Sequence, residues 1–308
     1  MFVEPEKVVP ELKKTLLLVD CLAPVRCGMS GSVIPCFFEL KCGIFMKYWA
    51  VIFLFTAYNS AAQRQMEAEL MFGVTGYKGD LIKKHSAFRS MRPAASFNLK
   101  YNFDNNILLR AGVMWGKVVG DDRHNKQADL NARNLSFQTD LLEFSLCAEY
   151  NLLEPEIFYG YPYIFGGVGV FLFDPYAYDN NNQKTYLRPL STEGQGLPDY
   201  PERKTYSRTQ FCIPFGAGWK VNLGPRIDMI YEIGYRILFT DYLDDVSTTF
   251  VDPQKLLAAR GPKAVEMAYR GKPHFSQHDG AKRGNPNVND WYFFNGVKLL
   301  IRFGDTGY

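Results

Sequence analysis

The sequence has no apolar run long enough to cross a membrane as a helix. Its most apolar stretch, residues 49–57, is far shorter than the roughly 20 residues that such a helix needs. It also lacks a long basic run and an arginine-rich segment, and its formal net charge is only +3. We therefore expect no nucleic-acid partner. Helical periodicity is almost absent after residue 62, which argues against a helical fold.

Cysteine is scarce outside residues 1–45, which hold four of the six cysteines. Their C-x5-C-x8-C-x5-C spacing differs from the shorter spacing of metal-binding pairs. We interpret residues 1–45 as a mis-annotated upstream extension, translated from a wrongly chosen start codon and not part of the mature protein, rather than as a metal site or disulfide cluster. The two other cysteines, Cys147 and Cys212, fit an exported chain without a disulfide framework.

A targeting signal begins at an internal methionine. Met46 and Lys47 give a positive start, residues 49–57 form an apolar stretch, and residues 60–62 form a small-residue cleavage site. These features predict a cleaved signal peptide over residues 46–62. The mature protein, residues 63–308, then begins at Gln63 in the exported compartment.

Apolar and polar side chains alternate with period two in eight segments of the mature chain, which predicts β-strands. In 227–239, for example, Ile227, Met229 and Tyr231 alternate with Asp228 and Glu232. Each segment has at least about the nine residues that a tilted strand needs to cross the hydrocarbon core. The segments are 67–75, 95–103, 107–117, 142–150, 161–173, 211–223, 227–239 and 291–303, of which only 161–173 is ambiguous.

The connections between these segments differ in length on the two sides. Connections near 104–106, after Asn151 and at 224–225 are short, whereas those near 76–94, 118–134, 174–208 and 240–289 are long and polar. Outer-membrane barrels have this asymmetry, with short periplasmic turns and long extracellular loops. Apolar and polar side chains would also alternate along the strands of a soluble β-sandwich. Aromatic residues near strand ends and glycines on the polar face favour an eight-stranded antiparallel transmembrane β-barrel in the outer membrane.

The polar face of the predicted strands carries acids and bases in similar number. In a barrel this narrow, whose interior holds little more than side chains, we expect them to pair in the lumen and fill it. A small gated pore is the alternative. The residues are Glu67, Glu69, Lys100, Arg110, Glu143, Glu149, Lys220, Asp228, Glu232, Arg236, Lys298 and Arg302.

Several loop motifs resemble those of the PorG-like barrels of the Bacteroidota type IX secretion machinery. The resemblance spans most of residues 65–305 and includes Gly76–Leu81, Arg133–Phe137 and Asp290–Tyr292. The motif residues in the longer loops are Thr192, Glu193, Gly194, Gln195, Gly196, Thr240, Asp241, Tyr242, Asp244, Asp245, Ser247, Thr248, Arg283, Gly284 and Asn285.

This resemblance implies a non-enzymatic structural component of the secretion machinery. Such a barrel lies in outer-membrane lipid and associates with the periplasmic ring of PorK lipoprotein and PorN subunits. It implies no catalytic residues, no cofactor, no metal and no small-molecule substrate. The alternatives are a small outer-membrane porin or adhesin and a lipid-modifying barrel enzyme.

Candidate chemistry elsewhere in the loops is weak. Asp241, Asp244 and Asp245 offer oxygen ligands for Ca²⁺ but lack EF-hand spacing, so we expect them to order the loop. His274 and His278 have the spacing of a helical metal site, yet nearby glycines and a proline argue against a helix. No nucleophile motif surrounds Ser191, Ser247 or Ser276. We also expect the long loops to pack over the barrel mouth, because they contain aromatics such as Tyr176, Tyr178 and Tyr186.

Overall fold

A computed structural model describes residues 66–82, 90–104 and 106–303. The predicted upstream extension, 1–45, and the signal peptide, 46–62, lie outside the described residues. The strands are β1 (Met66–Lys78), β2 (Arg92–Asn102), β3 (Ile107–Asp121), β4 (Ser136–Asn151), β5 (Gly160–Tyr178), β6 (Lys184–Tyr186), β7 (Thr209–Gly224), β8 (Ile227–Leu238) and β9 (Trp291–Arg302). The α-helices of this part of the chain are α1 (Ala128–Arg133), α2 (Pro253–Arg260) and α3 (Pro262–Ala268).

The eight long strands form a closed antiparallel barrel. Each pairs with its neighbours along the chain, and β1 pairs with β9 to close the sheet. The three-residue strand β6 pairs only with the end of β5 and lies outside the ring of strands. The predicted eight-stranded fold is confirmed.

Burial alternates along the strands in the sense opposite to that of a soluble protein. Phe72 and Phe211 on the outer face are each 69% exposed, whereas Glu69 and Lys100 on the inner face are fully buried. Charged residues are almost never buried without partners, and large exposed apolar surfaces mark contact with lipid or protein. An apolar outer face on a closed barrel with a polar interior is the arrangement of a transmembrane β-barrel.

Three strands, β3, β4 and β5, extend furthest beyond the extracellular ends that their alternation predicts, while β1, β2 and β7 extend by two or three residues. Strand β3 continues to Asp121, β4 begins at Ser136 instead of residue 142, and β5 continues to Tyr178 instead of residue 173. The extensions pair with one another, for example where Gln138 lies opposite Tyr176. The loops pack against this extended part of the sheet.

The connections follow the predicted asymmetry. Periplasmic turns join β2 to β3 and β7 to β8, and residues 152–159 join β4 to β5. The four extracellular connections contain all three helices described above. Helix α2 is capped by the Asp252 carboxylate, which accepts a hydrogen bond of 2.7 Å from Gln254 N, and it ends at Gly261, where φ is 80°. No helix in the described ranges is long and apolar enough to cross a bilayer.

The extracellular connections pack over the barrel mouth, but not through the aromatic residues that suggested it. Tyr176 and Tyr178 belong to strand β5, and Tyr178 and Tyr186 are exposed. Leu243 and Val246 join strand residues such as Phe171 in one apolar cluster, and Leu256 and Val251 belong to a second cluster within the loops. Leu243 is fully buried, and its carbonyl accepts a 2.9 Å hydrogen bond from the Thr139 hydroxyl inside β4. We call the residues 79–82, 122–135, 179–208 and 239–290 the extracellular cap.

Candidate functional site

Inward positions of the strands carry the ionisable residues of the lumen. Of the twelve ionisable residues expected in the lumen, eleven are buried, and Arg302 near the periplasmic end is partly exposed. Residues that lie opposite each other on neighbouring strands point to the same side of the sheet, so inward residues of adjacent strands are in contact, as Glu69 of β1 is with Leu300 of β9. The structure brings these residues together in three groups along the barrel.

The central group is a connected set of acids and bases. Lys100 Nζ lies 2.9 Å from Glu149 Oε2, and it also pairs with Glu69. Lys298 Nζ lies 3.1 Å from Glu69 Oε2 and 2.5 Å from Glu232 Oε2. Arg110 is 2.6 Å from the same Glu232 oxygen, and Lys220 pairs with Glu149.

The group nearest the extracellular side is one bidentate pair. Arg236 donates from Nε and NH2 to the two oxygens of Glu143 at 2.9 and 3.2 Å. The Tyr292 hydroxyl donates to Glu143 Oε2 at 2.6 Å. The fork of a guanidinium matches a carboxylate in this way, and such pairs are stronger than neutral hydrogen bonds.

The third group lies at the periplasmic end. Asp228 pairs with Arg302, and Arg302 Nε lies 3.4 Å from Glu67 Oε1. Acids and bases are equal in number across the three groups, so the ionised network carries no net charge. Aromatic side chains such as Tyr163 and Phe171, both fully buried, fill the space between the charges.

The family-like motif residues converge on a second site, inside the extracellular cap. The buried Glu193 carboxylate accepts hydrogen bonds from Ser247 N at 3.0 Å, from Thr248 N at 2.9 Å and from the Thr248 hydroxyl at 2.7 Å. It also lies 2.8 Å from NH1 of Arg283, which is 2% exposed. A single carboxylate therefore joins motifs that are far apart in the sequence.

Asp245 extends this cluster. Its carboxylate accepts hydrogen bonds from the Thr192 hydroxyl and, at 2.7 Å, from Tyr206, while its carbonyl accepts one of 2.5 Å from Arg283 NH1. Burial raises the pKa of Asp245 to about 6, although Arg283 opposes this shift. Asp245 has a φ of 64°, a backbone conformation that is uncommon for a residue with a side chain.

The two glycines of the motif Thr192–Gly196 permit the backbone turn that places Glu193 in this cluster. Gly194 and Gly196 have φ values of 79° and 73°, in the left-handed region that glycine enters without steric cost. The side-chain oxygen of Gln195, between them, accepts a 3.0 Å hydrogen bond from Glu193 N. The run therefore forms a tight turn that holds Glu193 in place.

A carboxylate pair lies beside the cluster. The Tyr77 hydroxyl donates a hydrogen bond to Asp244, and Asp290 Oδ1 lies 3.2 Å from the same hydroxyl. One hydroxyl has one proton to donate, so two ionised carboxylates cannot both be satisfied by it. Burial raises the pKa of each carboxyl well above its usual value, with further repulsion from Asp80 at Asp244 and from Asp244 at Asp290. Each carboxylate also accepts a backbone hydrogen bond, Asp290 Oδ2 from Leu243 N at 3.0 Å and Asp244 Oδ1 from Val246 N at 2.8 Å.

Arg133, in the β3–β4 connection, links three parts of the cap. It donates to both oxygens of Asp122, at 2.7 and 2.9 Å, to the Asp80 carbonyl at 3.0 Å and to the carbonyl of Arg283. Asn285 N donates to Asp80 Oδ2 at 2.7 Å. Together with the contacts of Glu193, these bonds join the four extracellular connections through buried polar groups.

The remaining candidates from the sequence do not assemble into a reactive site within the described ranges. His274 and His278 are exposed, and His278 Nδ1 makes a 2.7 Å hydrogen bond to the nearby Ser276 hydroxyl. Asp279 accepts from the Tyr200 hydroxyl at 3.2 Å. No group of three or more histidine, cysteine, aspartate or glutamate side chains in this part of the chain could hold a metal ion.

Sequence reasoning missed the hydroxyl groups that complete both sites. Tyr163 OH donates to Glu232 at 2.6 Å, and Tyr292 and Tyr206 satisfy Glu143 and Asp245. Tyr292 lies at an inward position that the strand period could have revealed, whereas Tyr163 lies in the ambiguous segment 161–173. Tyr206 and Asp122 lie in loops, where no periodic signal exists.

Residues 46–256 match the profile of a protein family described as a domain of unknown function, DUF6089. No curated protein matches the chain.

Several solved structures are similar to it. Neisserial surface protein A is 8% identical, with a TM-score of 0.40, over 77% of this chain and 97% of that one. A major outer membrane protein of Thermus thermophilus is 12% identical, with a TM-score of 0.38, over 77% and 99%. Ail, the attachment invasion locus protein of Yersinia pestis, is 11% identical, with a TM-score of 0.32, over 78% and 99%. At such TM-scores we draw no conclusion from the likeness.

Proposed function

We propose, from the premise that the chain belongs to the DUF6089 family and forms an outer-membrane barrel, that it is a non-enzymatic structural component of the type IX protein secretion machinery. In this role the barrel associates with the periplasmic ring of PorK lipoprotein and PorN subunits and anchors the ring at the outer membrane. The protein would then act through its shape and its surfaces.

The observation that supports this proposal is that the family-like loop motif residues are buried and bonded to one another. Glu193, Asp245 and Arg283 are each at most 2% exposed, and their polar atoms bond to one another and to backbone groups. Residues that served a reaction would need access to a substrate. Residues that fix the shape of a cap need only one another.

The filled lumen favours a scaffold over a porin. Eight strands leave an interior that side chains can fill, and here paired charges and aromatic rings occupy it. Opening a path would leave several buried charges without partners, which costs about 3–5 kcal/mol for each broken pair. An adhesin remains the alternative that places function on the outer surface of the cap.

The experiment that tests the proposal is a mild-detergent pull-down of the tagged mature protein from its own outer membrane, followed by mass spectrometry. We expect recovery of the ring lipoprotein and ring subunit, and loss of cargo secretion when the protein is deleted. An unrelated barrel with the same tag is the control. Recovery of the barrel alone, with secretion intact after deletion, would show the proposal to be wrong.

A further inference from the structure

A cavity of about 410 Å³ opens at the periplasmic end of the lumen. Its polar lining includes Glu67, Asn102, Asp104, Lys220, Asp228 and Arg302. We call this cavity the periplasmic vestibule. It is separate from the extracellular cap, because the central charges and aromatic rings lie between the two.

The bases of the vestibule are already bound to acceptors. Arg302 pairs with Asp228 and Glu67, and Lys220 pairs with Glu149 and donates to Asn151 Oδ1 at 2.8 Å. The lining thus offers no spare cation to an incoming acid. An anionic ligand is disfavoured for this reason.

The acceptors of the vestibule are not all used. Asp228 is fully buried, yet its Oδ1 has no hydrogen-bond partner. Asn102 donates from Nδ2 to Glu67 Oε1 at 3.0 Å, while its Oδ1 is buried without a partner. Buried polar atoms are normally hydrogen-bonded, and a buried acceptor without a donor is unfavourable. Both atoms have almost no accessible surface, so a donor in the cavity reaches them only when the lining side chains shift. Two such acceptors beside one cavity favour a group rich in N–H donors.

An exposed apolar segment borders the vestibule. Pro155 of the β4–β5 connection lines the cavity, and on either side of it Leu153, Ile157 and Tyr159 are exposed, the last two by 68% and 70%. Glu154 and Glu156 in the same connection are also exposed. The surface beside the vestibule is therefore apolar and acidic, and it complements a partner that is apolar and basic.

We propose that the periplasmic vestibule and residues 152–159 form the docking surface for a periplasmic protein, which inserts a lysine or arginine side chain into the vestibule. The ammonium or guanidinium group donates to Asp228 Oδ1 and Asn102 Oδ1, and neighbouring apolar side chains of the partner cover Leu153 and Ile157. This inference rests on the proposed function, because it identifies the partner as a subunit of the secretion ring.

The first test repeats the pull-down with variants that carry equal amounts of folded barrel, judged by the heat-dependent shift in gel mobility. Asp228→Asn should reduce recovery of the ring subunits about tenfold, because it removes the buried negative charge at nearly constant shape. Leu153→Ser with Ile157→Ser should reduce recovery to a similar degree. Arg226→Gln, an exposed basic residue of another periplasmic turn, is the matched control and should recover as much as the wild type.

A milder variant covers the case in which Asp228→Asn fails to fold. Asp104 accepts hydrogen bonds of 2.8 Å from Asn106 N and Ile107 N through Oδ1, which an asparagine can also do. Asp104→Asn therefore keeps the turn and removes one carboxylate from the lining. We expect recovery to fall about threefold, and more at low salt than at high salt.

A second measurement does not depend on the ring. A labelled acetyl-Leu-Arg-Leu amide peptide is titrated against the purified mature barrel in lipid nanodiscs and followed by fluorescence anisotropy. We expect binding to the wild type and at least tenfold weaker binding to Asp228→Asn. A peptide with glutamine in place of arginine should not bind.

The outcomes separate the two proposals. If the wild type recovers the ring and all variants recover it equally, the docking surface is wrong and the secretion role stands. If the wild type recovers no ring but binds the arginine peptide through Asp228, the secretion role is wrong and the basic-group site stands. If the peptide does not bind and the serine variants lose only membrane insertion, residues 152–159 contact lipid and the docking surface is wrong.

Discussion

The pKa of one carboxylate in the cap, that of Asp241, lies far from its usual value. Burial, together with the nearby Asp80 and Glu193 carboxylates, raises the pKa of Asp241 to about 8. An aspartate in an unfolded chain has a pKa of about 3.9. The folded cap therefore binds a proton that the open cap releases, and its stability falls as the pH rises between these two values.

We predict that protease added to intact cells cleaves residues 240–289 faster at pH 8.5 than at pH 5.5. Asp241→Asn keeps the size of the side chain and removes the titration, so the rise in cleavage rate with pH should become smaller. The rate of cleavage at both pH values, with an exposed reporter loop as a correction for the pH dependence of the protease, checks the prediction. An unchanged pH dependence in the variant would mean that Asp241 is not the responsible group.

The Glu193–Arg283 pair should be the most sensitive point of the cap. In Glu193→Gln the buried Arg283 loses its 2.8 Å ion pair, and breaking a buried pair from one side costs about 3–5 kcal/mol. We predict rapid proteolysis within 179–208 and 239–290 while the strands stay protected. Glu202→Gln, an exposed glutamate 3.2 Å from Arg203, should change the cleavage rate little. Equal protection of both variants would contradict this.

At the scale of elements, the sequence predicts the strands where one face is polar and the other apolar. The segment 161–173 was ambiguous because the inward positions of β5 are themselves aromatic, with Tyr163, Phe165 and Phe171 all buried in the lumen. The period-two signal is lost when both faces are apolar. The neighbouring strands, rather than the segment's own residues, determine its place.

The cap could not be predicted from local patterns. Asp122 pairs with Arg133 within one connection, and Glu193 pairs with Arg283 of another connection. In the sequence, each of these residues is indistinguishable from a solvated loop residue. The family-like motifs include several members of the cap cluster. Tyr206, which donates to Asp245, lies outside these motifs and is identified only in the tertiary structure. The lumenal residues were easier to name, because inward charges on amphipathic strands need counter-charges.

Strand β7 provides a test of how closely the lumen is packed. A Cβ atom at Gly218 would overlap the ring of Tyr163, whereas a Cβ atom at Gly224 would meet open space. We predict that Gly218→Val reduces the folded fraction of the refolded barrel severely, since overpacking typically costs about 1–3 kcal/mol or more. Gly224→Ala, in the same strand, should fold almost as well as the wild type. The heat-dependent gel shift measures both, and a folded Gly218→Val barrel would indicate a looser lumen.

The described part of the chain, from residue 66 to residue 303, forms a barrel closed in two places, by charge pairs and aromatic rings within the membrane and by the cap outside it. The two closures are independent, because the Arg236–Glu143 pair and the central ion pairs lie on strands and do not require the loops. Removing the cap alone should therefore leave the lumen closed.

We predict that the mature barrel in a planar lipid bilayer shows no steady ion conductance, and that a variant with residues 240–289 replaced by a short flexible linker shows none either. Arg110→Ala with Tyr163→Ala should conduct, because these changes remove two of the groups that fill the centre and leave Glu232 without two of its partners. The cap-deleted barrel distinguishes the two closures. Conductance there, with the central residues intact, would place the only barrier in the loops and shift the interpretation from a filled scaffold to a gated pore.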